Sequence, residues 1–165
     1  MIFFSLARGE ERSTFEEIYD RHFITVYRVC FSYTKNEADT EDMVASVFEK
    51  LLKNASTFKN AEHEKAWLLR TAINQCKDFL KHWWRKSADI ADCEHIESSN
   101  LTDENELLTT ILELPPRYKD VIYLYYYEGY SSADIAKILK KPHSTIRNQM
   151  WEARNLLKGV LEYEQ

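Results

Sequence analysis

The 165 residues hold 22 Lys and Arg against 27 Asp and Glu, a formal net charge of −5, with 44% apolar and 30% charged side chains. No apolar run reaches the ~18 residues that a membrane crossing needs, so the composition excludes a membrane-spanning chain. Gly and Pro are scarce while Leu, Glu, Lys and Ala are plentiful, which favours helix almost throughout.

The first residues, MIFFSLAR, are apolar but short and lack a basic leader, so they do not read as a signal peptide. Ser13, with Glu16 three residues on, has the spacing of a capping box and predicts the start of a first helix. Phe15, Ile18, Tyr19, Phe23, Val26, Tyr27, Cys30 and Phe31 continue it as an apolar stripe at helical spacing. Lys35 and Asn36 punctuate. A second helix is expected from about 37 to 53, with Met43, Val44, Val47, Phe48, Leu51 and Leu52 on its inner face. Its first turns hold Glu37, Asp39, Glu41 and Asp42. Acid there complements the helix dipole, and it also makes a patch suited to a basic partner surface.

Residues 54–65 (NASTFKNAEHEK) read as a connecting loop with one aromatic, Phe58. A third helix, about 66 to 86, carries Trp67, Leu69, Ile73, Cys76, Leu80 and Trp83 on its apolar face. Its second half adds Lys77, Lys81, His82, Trp84, Arg85 and Lys86. Cations interleaved with aromatics suit single-stranded or melted nucleic acid, the cations tracking phosphates while the rings stack on bases. The same cations also complete a helix dipole. Adjacent Trp83 and Trp84 cannot both enter one core from a helix, so at least one is expected at the surface. Residues 87–102 lack periodicity and hold no Lys or Arg, as a flexible acidic linker would. A further helix is expected from about 103 to 114, packing through Leu107, Leu108, Ile111 and Leu112. Cys30 and Cys76 fall on apolar faces and read as buried thiols. Cys93 and His95 lack a second pair to complete a metal site, and no metal or other cofactor is expected.

In residues 114–158, Pro115 and Pro116 open a helix, since a fixed φ suits its first turn and the missing N–H would have no partner there. Val121, Ile122, Leu124 and Tyr125 continue that helix and Gly129 closes it. Ser131, with Asp134 three residues on, starts the next, which carries Ile135, Ile138 and Leu139 on one face. Pro142 and Ser144 restart the chain, and Ile146, Met150, Ala153, Leu156 and Leu157 form a third stripe. Two such helices joined by a tight turn suggest a helix-turn-helix, whose second helix enters the major groove led by its N-terminal residues. Those are His143, Ser144, Thr145, Arg147, Asn148, Gln149 and Trp151, with Arg154 a further turn on. Arg, Asn and Gln are the side chains able to make two hydrogen bonds to one base edge. An ordinary antiparallel helix pair with a polar outer face has similar spacing, and Lys140 and Lys141 stand where the turn usually has Gly.

The net charge alone argues against a nucleic-acid binder, but its distribution does not. Residues 1–86 hold 14 Lys and Arg against 13 Asp and Glu, residues 87–113 none against 8, and residues 114–165 hold 8 against 6. All the excess acid lies between two modules that are near neutral or slightly basic.

Together these segments resemble a bacterial extracytoplasmic-function sigma factor, the group of the sigma-70 family that has only regions 2 and 4. DTEDMVASVFEKL (39–51) is similar to the region 2 signature that docks on the clamp helices of RNA polymerase. WLLRTAIN (67–74), with the basic run to Lys86, is similar to the part that opens and reads the −10 element. LPPRYKDVIYLYYYEGYSSADIAKIL and PHSTIRNQMWEARNLL resemble region 4, which reads the −35 element. The resemblance implies an all-α fold of two small helical domains. Region 2 would occupy residues 10–86, a flexible acidic linker residues 87–102, and the region 4 helix-turn-helix residues 103–162.

It also implies roles for particular residues. Asp39, Glu41, Asp42, Val44 and Phe48 would lie at or beside the polymerase contact. Phe58, Asn60, Trp67, Asn74, Lys77, Lys81, Trp84 and Arg85 would bind or melt the −10 element. The loop at 58–65 would capture a flipped base, with Asn60 and Asn74 bonding its Watson–Crick edge. His143, Ser144, Thr145, Arg147, Asn148, Gln149, Trp151 and Arg154 would lie on the −35 helix. The chain departs from the family at Ala45 (usually Gln), Lys140 (usually Gly), Gln149 (often Arg) and Glu152 (usually basic or neutral). Fewer cations on that helix should weaken phosphate attraction and flatten the salt dependence.

The partners implied are core RNA polymerase, through its clamp helices and flap, and promoter DNA, duplex and melted. An anti-sigma factor is a further candidate. Neither membrane insertion nor a small-molecule substrate is expected, and the site of action is the cytoplasm. The alternative is a stand-alone helix-turn-helix regulator, which would have no need of the acidic second helix or of Trp83 and Trp84 beside a basic run. No enzyme is expected, because the sequence offers no nucleophile–base pair, phosphate-binding Gly loop or metal spacing.

Overall fold

The computed structural model describes residues 3–4, 13–54, 58–88, 111 and 113–163. They fall into two units, Met1–Ser99 and Asn100–Gln165. The fold is all-α apart from a two-residue antiparallel pair in the first unit, β1 (Phe3–Phe4) with β2 (Ser13–Thr14).

The first unit packs α1 (Phe15–Thr34), α2 (Glu37–Lys53) and α3 (Ala61–Ala88) mutually against one another. The cap of α1 is Thr14, not Ser13. Thr14 Oγ1 accepts from the Glu17 N–H at 3.2 Å, and the Glu17 carboxylate accepts from the Thr14 N–H at 2.9 Å. Two capping boxes can be written one residue apart, and the structure uses the second because Ser13 is buried in β2 with its hydroxyl taken by Arg21 at 3.3 Å. The helix ends at Lys35, whose φ of 57° is left-handed and whose N–H returns to the Phe31 carbonyl.

Asn36 then caps α2, its side-chain oxygen accepting from the Asp39 N–H at 2.8 Å. Buried Thr40 fastens the corner through the Thr34 hydroxyl at 2.6 Å and the Asn36 carbonyl at 2.5 Å. Ile18, Val26, Val29 and Cys30 meet Met43, Val44, Val47, Phe48 and Leu51, with Leu68, Leu69, Ala72, Ile73 and Cys76 closing the core. Each such burial contributes about 1.5–3 kcal/mol for the larger side chains. Along α1, Phe15, Tyr19, Phe23, Tyr27 and Phe31 form a continuous ladder of rings, with successive centroids 6.0, 5.2, 5.8 and 6.3 Å apart.

Three expectations change here. The third helix begins at Ala61 rather than 66. Asn60 makes that start, accepting the His63 N–H on its side chain at 2.8 Å and the Glu64 N–H on its carbonyl at 3.1 Å, while Glu62 and Glu64 suit the dipole of the first turn. Leu52 and Trp83, expected inside, are 39% and 38% exposed. Glu64, expected in a loop, has no solvent exposure; its Oε1 accepts from Arg21 Nη1 at 3.0 Å and from His22 Nε2 at 2.6 Å.

The second unit contains α4 (Pro116–Tyr126), α5 (Ser132–Leu139) and α6 (His143–Tyr163), again in mutual contact. Helix α4 stops at Tyr126. Gly129, at φ 72°, turns the chain so that the Tyr130 N–H reaches back to the Leu124 carbonyl at 3.0 Å. Val121, Ile122 and Leu124 pack with Ile135 and Ile138 and with Ile146, Met150, Ala153 and Leu157. Leu156, expected in that stripe, is 45% exposed. Ile111 is helical and buried. The rest of the helix expected at 103–114 up to Leu112, the linker from residue 89 and the Cys93–His95 pair lie outside the described residues. No described helix is long and apolar enough to cross a membrane.

Candidate nucleic-acid interface

In the second unit, Ser131 caps α5 by accepting from the Asp134 N–H at 3.2 Å. The turn that follows is made by Lys140 in the left-handed region (φ 52°, ψ 47°), where the expected Gly is absent. Ser132 Oγ and His143 Nε2, 2.8 Å apart, fasten α5 to the start of α6. His143 is therefore a brace between the helices as well as a surface residue. Burial of Ile146, Met150, Ala153 and Leu157 turns the opposite side of α6 outward. Ser144, Arg147, Asn148, Trp151 and Arg154 form one exposed stripe there, and the Trp151 indole is 66% exposed. An open cleft of about 420 Å³ runs along this stripe between Arg147, Asn148 and Trp151 on α6 and Tyr125 on α4. The Arg154 guanidinium lies 5.2 Å above the Tyr125 ring, which holds it on the same side.

Two of the expected base readers are placed differently. Thr145 and Gln149 are half-buried, and Gln149 Oε1 is fully buried with no hydrogen-bond partner among the described residues. The unexpected Glu152 has an internal use: its carboxylate accepts from the Tyr118 hydroxyl, which also receives Arg117 Nη2 at 2.6 Å. That bond to Glu152 holds the Tyr118 hydroxyl pKa above its ordinary range, with desolvation adding to the shift. The acid is thereby engaged within the unit, toward α4.

In the first unit, Glu37, Glu41 and Asp42 stand exposed at the start of α2, while Asp39 is half-buried and receives the Asn36 amide at 2.6 Å. Tyr27 lies close enough that Glu37 and Glu41 add to the effect of desolvation in raising its pKa. Val44 and Phe48, expected at or beside the polymerase contact, are core residues at 4% and 3% exposure. Phe48 packs on Tyr19 at 4.6 Å and edge-on to Phe15 at 6.2 Å, so these two side chains support the acidic surface from beneath.

A second cleft, about 410 Å³, opens between the end of α2 and the middle of α3. Lys50, Lys53 and Asn54 form one wall, and Trp67, Thr71 and Asn74 the other. Two ammonium groups beside two amides and an indole offer phosphate attraction, edge hydrogen bonds and a stacking surface in one place. Trp67 and Asn74 were expected here. Lys50, Lys53, Asn54 and Thr71 were missed, although Lys50 and Lys53 share one face of the last turn of α2. Lys50 Nζ also donates to Gln75 Oε1 across to α3.

The neighbouring Phe58 is 1% exposed, edge-on to Trp67 at 5.8 Å. It is a wedge under the loop and not an exposed stacking ring. Asn60 is exposed. Farther along α3, Lys81, His82, Arg85 and Lys86 are exposed, Lys77 is half-buried, and the Trp84 side chain lies outside the described residues.

Residues 18–86 match the family model of sigma-70 region 2, and residues 104–157 that of sigma-70 region 4. RNA polymerase sigma factor SigV of Bacillus subtilis is 32% identical over 143 residues, covering 84% of this chain and 85% of the relative. The ECF RNA polymerase sigma-E factor of Haemophilus influenzae is 30% identical over 142 residues, 75% of each chain. The fold matches that of the sigma factor RpoE solved with the anti-sigma factor NepR from Bartonella quintana. Its TM-score is 0.72 at 20% identity, over 92% of this chain and 98% of that one.

Proposed function

This chain belongs to the extracytoplasmic-function group of the sigma-70 family, and we propose that its first unit docks on core polymerase and holds an unstacked −10 base while its second reads the −35 element. It is a promoter-recognition sigma subunit of RNA polymerase. Sigma factors are non-catalytic promoter-specificity factors, and we assign no reaction to this chain. Its partners are core polymerase and promoter DNA, and its place of action is the cytoplasm. An anti-sigma factor is a further partner under this reading, because relatives of the same fold are solved with one.

The observation that carries the reading is the pair of polar clefts, one in each unit, each lined by residues within one of the two stretches that match the family models. On α6, Arg147 and Asn148 have the exposure and chemistry for a base edge, with Ser144 and Arg154 at the flanks on phosphates. Trp151 presents an apolar surface suited to a thymine methyl. On α2, Glu41 and Asp42 face a basic polymerase surface.

In the first unit, Lys50 and Lys53 attract the backbone of the separated strand. Asn74 and Asn54 bond the edge of the extruded base, and Trp67 stacks beside it. Capture of that base offsets the cost of unpairing, a few kcal/mol per flipped nucleotide. The test is in vitro transcription with core polymerase over a genomic promoter library, repeated with Asn74→Ala. The wild-type chain should select promoters sharing two spaced elements. The variant should open duplex promoters more slowly, by a loss of about 1–3 kcal/mol, and recover on pre-melted templates. Random start sites with the wild-type chain would remove the reading.

A further inference from the structure

Glu64 lies in the first turn of α3, wholly out of solvent, and a single oxygen, Oε1, receives both the His22 ring and the Arg21 guanidinium, at 2.6 and 3.0 Å. The other, Oε2, is buried with no hydrogen-bond partner among the described residues. His22 is itself buried, and Arg21 reaches on to Ser13 Oγ in β2. An acid held in this way is a poor device for stability. Well-packed apolar side chains of similar volume do as well or better in such places, and a bare buried oxygen carries a desolvation cost. What the arrangement supplies is direction: the converging bonds set the height and rotation of the first turn of α3 against α1 and β2.

That turn carries residues 58–60, at the edge of the cleft between α2 and α3. Asn60 receives the His63 N–H on its side chain and the Glu64 N–H on its carbonyl. His63 Nδ1 receives the Lys59 N–H at 3.1 Å. The His63 ring meets Phe58 edge-on at 5.6 Å, and Phe58 in turn meets Trp67, a wall of the cleft. Exposed Lys59 and Asn60 are thus joined to Glu64 through a short chain of bonds and ring contacts, with no other described element between.

We infer that Glu64, held by His22 and Arg21, is a positioning residue for promoter opening, a buried charged latch that keeps residues 58–63 in the geometry that receives the unstacked base. The inference rests on the reading of this cleft as the −10 site. A loop fixed in advance spares base capture the entropy of ordering it, and small misplacements of such a loop are costly in rate.

The experiment uses the full chain with core polymerase and permanganate footprinting on duplex and pre-melted bubble promoters. Glu64→Gln keeps the shape and can still accept from Arg21, but lacks the charge. The double variant His22→Leu, Glu64→Leu replaces the pair by apolar packing, and its folding is checked by thermal melting. Both should bind core polymerase as the wild type does, open duplex promoters at least ~10-fold more slowly, and recover most of that on the bubble. The apolar pair decides between positioning and plain stability, since a structural role alone would return wild-type opening once packing is restored. Wild-type opening by the double variant, or by Glu64→Gln, overturns the inference. Asn74→Ala and Asn60→Ala separate the two levels. If these are defective while the Glu64 variants are not, the latch alone fails; if these too open normally, the −10 reading fails and takes the latch with it.

Discussion

Asp120 makes the second unit sensitive to pH, in a direction the structure fixes. It lies on α4 at 1% exposure, and desolvation pushes its carboxyl pKa up from 3.8 to about 8, with Lys141 opposing the shift. A carboxyl whose folded pKa is raised favours folding while protonated. Its contribution is fully present below the unfolded pKa near 4 and is lost as pH rises through about 8. A separation of about four units corresponds to an upper figure of ~6 kcal/mol, since each unit is about 1.4 kcal/mol. Relaxation and water entry lower what is realised, and ~2–4 kcal/mol is the expected loss between pH 4.5 and 8.5. Asp120→Asn removes the titration while keeping the shape. The assay is hydrogen exchange at amides of residues 118–124, in wild type and variant, at both pH values. The variant should be more protected at pH 8.5, with a much smaller difference at pH 4.5. An equal difference at both values would refute the reasoning.

Three further outcomes are expected. Glu41→Lys with Asp42→Lys should cost several kcal/mol of core polymerase affinity by placing like charges in the interface, with helix content by circular dichroism little changed; undiminished co-purification would count against the docking face. Arg147→Ala should cost about 1–3 kcal/mol with relaxed preference at one −35 position if it reads a base, or weaken all sequences alike if it holds a phosphate; filter binding over a set of point-substituted duplexes distinguishes these, and unchanged binding to all of them would remove α6 as the reader. Lys140→Gly should stabilise the second unit by ~0.5 kcal/mol in urea unfolding, because relief of the left-handed Lys backbone exceeds the added freedom of the unfolded chain. A loss of stability there would mean that the Lys140 side chain contributes more than its backbone costs.

Local chemistry made much of this chain legible. The bounds of α2 follow from Asn36 before a regular stripe, and those of α4 and α5 follow closely from Pro116, Gly129 and Ser131, because caps and turns are decided within a few residues. The error at Ser13 arose because two hydroxyls precede two acids, and the choice between them depends on Arg21 and the strand pair. Residues 61–65 looked like loop because EHEK has no apolar period. The side chain that faces inward there is Glu64, and its partners are 42 and 43 residues away. Leu52, Trp83 and Leu156 were placed inside on hydrophobicity, yet each lies just off the inner stripe of its helix. Val44 and Phe48 show the converse: the resemblance put them at or beside a contact, while the structure holds both side chains in the core. The cleft walled by Lys50, Lys53 and Asn54 needs α2 and α3 side by side, which no single stretch specifies.

The ladder of rings along α1 bears on how the first unit comes to exist. Each of its contacts spans four residues, so closing it requires almost no search by the chain. Twenty residues of helix are marginal alone, but aromatic pairs at about 0.5–1.5 kcal/mol each shift that balance. Helix α1 thus has support of its own within one stretch of chain, and α2 and α3 both pack on it, where Ile18, Val26, Val29 and Cys30 are buried. During synthesis α1 emerges ahead of α2 and α3, so that local support is in place while most of the second unit is still to be made.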